Sequence, residues 1–155
     1  MNNPFNHPAM VDISLLTSRL TLGLYMLLTG WTKINGPGLS GFVDKSFMAM
    51  KPDWLPDVVA RPYGYALPVL ELLTGVLIVL GLFTRWAGGI MALMLLSIFI
   101  AAVSAQGITG GQSGGAFHYS IILASFAFVL AIVGPGRLAL DPLYFGGGGP
   151  GGRGK

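Results

Sequence analysis

Four stretches of the chain are apolar around their whole circumference, and segments rich in polar residues, glycine or proline separate them. They run over 13–34, 63–83, 86–106 and 116–133. Each is close to the roughly 20 residues that a helix needs to cross the hydrocarbon of a bilayer. A surface helix of a soluble domain carries a polar face, and these segments do not. The pattern predicts an all-α fold: an integral membrane bundle of four transmembrane helices over 13–145. A polar N-terminal tail, 1–12, precedes it, and a glycine-rich tail, 146–155, whose composition predicts disorder, follows it.

The connections constrain the arrangement. Thr84 and Arg85 leave room only for a tight turn, which makes the second and third helices antiparallel neighbours. The long connection from Asn35 to Pro62 contains Pro37, Pro52 and Pro56. Within it Phe42, Val43, Phe47 and Met50 fall on one side of a short helix suited to the membrane surface. Gly107 to Gly115 forms a glycine-rich link, and Gly134-Pro135-Gly136 stops the fourth helix.

Composition agrees with the pattern. Of 155 residues, 53% are hydrophobic and 10% charged, against about a quarter charged in a soluble domain. So few charges cannot cover a globular surface. Cysteine is absent, which removes disulfides, thiolate metal sites, iron–sulfur clusters and thiol catalysis from this chain. The net charge of +3 is dispersed, with no basic run that would hold nucleic acid. The polar opening segment has no basic stretch of the secretory type, so it reads as part of the protein, and the first span doubles as the insertion signal. Four spans put both termini on one side. The distribution of Lys and Arg leans toward a cytoplasmic side for them.

Within the spans, Glu71 stands out as the only carboxylate in a membrane core. An unpaired charge in hydrocarbon is costly, so such a residue faces the bundle and finds a partner. Thr74 and Gly75 share its side at helical spacing, and Pro68 lies three residues before it. On the first helix Arg19, Gly23, Met26, Gly30 and Lys33 form a matching stripe. The two helices are therefore expected to pack together, with Arg19 or Lys33 reaching Glu71. Two readings of Glu71 follow: a proton acceptor or quinone-headgroup anchor, which would make it catalytic, and a structural ion pair that fixes helix register.

His118 opens the fourth helix on the Lys33 side, where it would hydrogen-bond a quinone carbonyl, shuttle protons, or simply sit at the interface. Lys33, Glu71 and His118 together define a candidate quinone pocket. Ser97, Ala101 and Ser104 read as packing residues of the third helix. No Asp, Glu or His cluster has metal-ligand spacing, so no metal site is expected, and haem held by two histidines does not fit one histidine near a span. This chain alone is expected to bind no cofactor other than quinone.

The order of these features resembles the DoxX family. Arg19-Leu20, Leu22-Gly23-Leu24 and Thr29-Gly30-Trp31-Thr32-Lys33 are similar to its first helix. Glu71-Leu72-Leu73-Thr74-Gly75, continuing to Leu80-Gly81-Leu82-Phe83-Thr84-Arg85, resembles its second helix and turn. Gly134-Pro135-Gly136-Arg137-Leu138-Ala139-Leu140-Asp141 is similar to its C-terminal signature. The family pattern falls on Arg19, Lys33, Glu71, Arg85, Arg137 and Asp141. Arg137 and Asp141 are four apart, a spacing that permits an ion pair if the segment is helical. Pro142 argues against continued helix, and their simplest role is to pin the chain where it leaves the membrane. The glycine-rich link and tail depart from the pattern.

The resemblance implies a four-helix protein of a prokaryotic cytoplasmic membrane. The family takes its name from the small-subunit class of a thiosulfate:quinone oxidoreductase. The leading expectation is a membrane subunit of a redox or energy-converting complex, not catalytic alone, with electrons supplied by partner subunits and a quinone site near Lys33, Glu71 and His118. The alternatives are a purely structural accessory subunit of a respiratory or photosynthetic assembly, and a small transporter or lipid-binding protein.

Overall fold

The computed structural model describes residues 8–106 and 114–141, with side chains over 8–104 and 119–141. The chain forms α1 (Pro8–Asn35), α2 (Gly38–Phe42), α3 (Asp57–Leu80), α4 (Thr84–Gln106) and α5 (Gly114–Val133). From α2 the backbone runs without a break into a π-helical turn, Val43–Phe47, and a 3₁₀ turn, Met48–Met50. No strand occurs among the described residues. The helices α1 and α3, and α4 over Thr84–Ser104, are long and apolar enough to cross a membrane. The 20 residues of α5 give about 30 Å of helix at 1.5 Å per residue, enough for the hydrocarbon core. The protein is an all-α membrane bundle.

The helix ends differ from the hydropathy boundaries because hydropathy marks the apolar core of a helix and not its caps. α1 is described from Pro8, ahead of the apolar stretch that begins at Ile13. α3 starts at Asp57 and contains both Pro62 and Pro68. It also ends earlier, at Leu80. Gly81 (φ +68°) adopts the left-handed conformation that favours glycine. Its N–H donates to Ile78 O at 3.1 Å, and that of Leu82 donates to Leu77 O at 2.9 Å. These are the two bonds of a Schellman cap. The tight turn therefore lies at Gly81–Phe83, and Thr84 and Arg85, expected in the turn, open α4 instead.

Packing follows the small-residue faces. A β-carbon on Gly30 would stand 2.7 Å from Pro68 O and 2.8 Å from Leu72 N. One on Gly75 would stand 2.7 Å from Leu27 N and 2.9 Å from Gly23 O. Backbones this close admit no side chain, and in a membrane such contact supplies the van der Waals attraction that holds helices together. α4 and α5 pair in the same manner, with Gly88 against Ala127 and Ala131. The two pairs meet mainly through α3 and α4, while α1 and α5 touch only narrowly. Leu22, Met26, Leu67, Ile78, Met91 and Leu130 fill the centre. Leu28, Leu73, Leu93, Phe128 and Ile132 point outward, where lipid solvates them. Ser104 is exposed, so it does not belong to the α4 packing face on which Ser97 lies.

Candidate functional site

The stripe on α1 and the polar side of α3 face each other. Arg19, Gly23, Met26 and Gly30 are buried on α1, and Glu71, Thr74 and Gly75 on α3. Antiparallel packing through Gly30 brings the last turn of α1 alongside the middle of α3. There Lys33 Nζ donates to Glu71 Oε1 at 2.6 Å and to Oε2 at 2.7 Å. The Glu71 side chain is 2% exposed and that of Lys33 22%. Lys33 is therefore the partner that reaches open space.

Other groups complete the surroundings. The Phe42 ring centroid lies 5.0 Å from Lys33 Nζ, within range of a cation–π contact. Phe42 belongs to a small aromatic cluster with Phe47 and Tyr63, and Phe47 lies against Gly64 of α3. The amphipathic connection thus folds back over the charged pair. Tyr63 hydrogen-bonds Ser97 and so ties α3 to α4. Thr29 donates to Tyr25 O at 2.8 Å on the same side of α1.

The ion pair forms the polar end of a cavity of about 450 Å³ that all four long helices line. Tyr25, Met26 and Thr29 contribute from α1, Leu95 and Ile98 from α4, and Tyr119, Ser120 and Leu123 from α5. Tyr25 is 48% exposed and Tyr119 62% exposed. These two mark the rim where the cavity opens between α1 and α5, the sparsely packed side of the bundle. Apart from the ion pair and a few hydroxyls, the lining is apolar.

Arg19 does not approach Glu71. Its guanidinium, 1% exposed, donates to Ile78 O (3.1 Å) and Val79 O (3.1 Å) at the end of α3, and to Pro135 O (3.0 Å) and Leu138 O (2.8 Å) beyond α5. The expected choice between Arg19 and Lys33 resolves to Lys33 because Arg19 lies about 21 Å before Lys33 along α1, beside the C-terminal end of α3. There the carbonyls of helix C-termini carry partial negative charge and stabilise a cation. Asp141 adds a favourable charge nearby.

The expected ion pair between Arg137 and Asp141 is also replaced. Asp141 accepts from the backbone N–H groups of Phe83 (2.6 Å) and Thr84 (2.9 Å), at the start of α4, where the first turn of a helix draws its acceptors from outside the helix. Arg137 uses its backbone N–H, which donates to Asp12 Oδ1 at 2.9 Å. Together with the bond from Asp141 N–H to Gly81 O at 2.9 Å, these contacts strap the segment 134–141 across the end of the bundle away from the cavity. Arg85 lies over Gly134 at the edge of this strap.

His118 stands in the first turns of α5, immediately before Tyr119, and its side chain lies outside the described residues. Tyr25, Thr29, Tyr119 and Ser120 were not singled out as site residues by sequence. A signal existed for two of them: Tyr25, Thr29 and Lys33 recur at intervals of four and share one side of α1.

This bundle, with a charged pair at the end of an apolar cavity, defines an integral membrane protein with a polar site among its helices. It belongs to the DoxX family, whose sequence profile matches residues 14–105. A Bacillus subtilis (strain 168) protein bearing the name "Putative oxidoreductase CatD" is 29% identical over 136 residues, which span 88% of this chain and 90% of that protein. No solved structure matches the chain.

Proposed function

We propose that the protein is a membrane subunit of a quinone-linked redox complex in a prokaryotic cytoplasmic membrane, and that the cavity at Lys33 and Glu71 receives the quinone headgroup. The observation that carries this reading is the placement of one ion pair in a mostly apolar cavity that all four long helices line. A volume of about 450 Å³ lies within the roughly 300–1,000 Å³ usual for small-molecule sites. The lining fits the group: a Lys33 N–H to meet a carbonyl, aromatic and aliphatic side chains to meet a ring, and an open side for an isoprenoid tail. Quinone supplies electron-accepting chemistry when bound, and a partner chain delivers the electrons. Lys33 orients the headgroup. Glu71 holds Lys33 in place, and a proton would pass between it and the ligand only by way of Lys33. The oxidoreductase name of the Bacillus subtilis relative supports the same class of activity.

One observation favours a second reading, an accessory subunit without chemistry. Both Glu71 oxygens are satisfied by Lys33, as in a pair that only fixes register. The two readings separate in the complex purified from native membranes in mild detergent. A Glu71→Gln substitution should lower quinone-linked turnover while the subunit remains assembled. Unchanged turnover in a verified assembly would remove Glu71 from the mechanism, and turnover lost only in step with the subunit would establish the accessory role.

A further inference from the structure

We infer that the cavity is selective for a neutral amphiphile bearing a hydrogen-bond acceptor, drawn sideways from the bilayer between α1 and α5. Lys33 is the recognising donor, and Glu71 is a positioning residue that does not touch the ligand. The inference deepens the quinone reading and rests on it only for the redox step.

Three observations carry it. The first is donor arithmetic. An ammonium has three N–H donors, and Glu71 engages two through Oε1 and Oε2. Phe42 covers the cation from the connection side through its ring face, which uses no directional acceptor. Among the described residues the third donor has no protein acceptor, and Lys33 lines the cavity. This donor faces a largely apolar lining, so an incoming carbonyl or ether oxygen gains a charge-assisted bond that apolar ligands cannot make.

The second is charge. Lys33 and Glu71 together are neutral, and Glu71 is 2% exposed. An anionic headgroup at Lys33 would meet the carboxylate behind it, and a cationic one would meet Lys33 itself. Either would also leave water for a largely apolar lining, at a cost the site has no further charge to offset. A neutral acceptor meets neither penalty.

The third is the route. The connection folds over the pair through Phe42, Phe47 and Tyr63, and the strap held by Arg19 closes the other end of the bundle. Among the described residues the side between α1 and α5 remains, rimmed by Tyr25 and Tyr119. A ligand entering there comes from lipid, with its tail left outside.

The full chain reconstituted in phosphatidylcholine nanodiscs tests this with four radiolabelled probes of matched decyl chain. These are decylubiquinone, a redox-inert decyl-chromanone, a decyl-chain carboxylate and a decyl-chain amine. The quinone and the chromanone should bind saturably, and the two charged probes at least about tenfold more weakly. Lys33→Met combined with Glu71→Met, which leaves no buried charge unpaired, should lower chromanone affinity by about tenfold or more, the scale of one lost hydrogen bond to a charged group. A retained melting transition would show that this variant is folded. Charged probes binding as tightly as the chromanone, chromanone binding unchanged in the folded double variant, or no binding by either neutral probe would each overturn the inference. Chromanone binding without quinone-linked turnover in the native complex would leave it standing and remove the redox reading. Binding of quinone without chromanone would do the reverse.

Discussion

Gly30→Ala and Gly89→Ala are the same chemical change in two helices of the same bundle, and they are expected to act in opposite directions. At Gly30 the added β-carbon would stand 2.7 Å from Pro68 O, 2.8 Å from Leu72 N and 3.2 Å from the Glu71 β-carbon. The first two contacts are backbone, so relief requires α1 and α3 to move apart by about 0.5 Å or more. A gap of that size forfeits a quarter to a half of each dispersion contact. Overpacking of this kind costs about 1–3 kcal/mol, and the alanine returns about 0.5–1 kcal/mol in helix propensity. The net is a loss of up to about 2.5 kcal/mol. At Gly89 the β-carbon meets nothing within 4 Å, so only the propensity gain of about 0.5–1 kcal/mol remains. Reversible unfolding of each purified variant in mixed micelles, by titration with a denaturing detergent, measures both. The separation of the helices also moves Lys33, one turn beyond Gly30, relative to Glu71, so ligand affinity should fall in Gly30→Ala and not in Gly89→Ala. Equal stabilities for the two variants would refute the close α1–α3 packing on which the placement of the site depends.

Arg19→Met removes four bonds to carbonyl oxygens. At roughly 0.6–1.7 kcal/mol for each interhelical hydrogen bond in a membrane, the loss should be about 2–7 kcal/mol in the same unfolding assay. Arg19→Lys should restore little of it, because one ammonium cannot span four carbonyls that a planar guanidinium reaches. Asp141→Ala exposes the first N–H donors of α4 and should cost about 1 kcal/mol, the usual value of a lost N-cap, read as a lower unfolding midpoint. Glu71→Met alone leaves Lys33 unpaired and should destabilise more than the Lys33→Met, Glu71→Met pair of substitutions. A double-mutant cycle on unfolding free energies checks this, and additive single effects would show that the pair contributes no coupling. Phe42→Ala should admit water to the ion pair from the connection side, measured as faster labelling by a water-soluble reagent of a cysteine introduced at Thr29, which lines the cavity.

The fold was legible because the bilayer imposes a simple rule. Spans must be helical and apolar, and the sequence shows their number, order and antiparallel neighbours directly. The α1–α3 interface was legible for the same reason: small residues and one carboxylate at helical spacing have few places to go in a lipid-solvated bundle. Helix ends were less so, since a Schellman cap at Gly81 is set by backbone hydrogen bonds that hydropathy does not register. The partners of Arg19 and Asp141 were missed because both bond to main-chain atoms, and any sequence supplies those at every position. Side-chain pairing at a spacing of four, the basis for joining Arg137 to Asp141, presumes a continuous helix, and Gly134 and Gly136 at positive φ end that helix first. The cavity needed residues from all four long helices. Tyr119 reads from sequence as an aromatic at a membrane interface, and only the approach of α5 to α1 makes it a rim residue.

The most direct measurement of the central claim is photolabelling of the native complex in its own membranes with an azidoquinone of short isoprenoid tail, followed by peptide mapping. Label should concentrate on the α1 segment containing Tyr25 to Lys33 and on the α5 segment containing Tyr119 to Leu123, and excess unlabelled quinone should suppress it. Label spread over the outward-facing residues of all helices, unaffected by competitor, would mean that quinone meets this protein only as a lipid does and that the cavity at Lys33 and Glu71 is not its site.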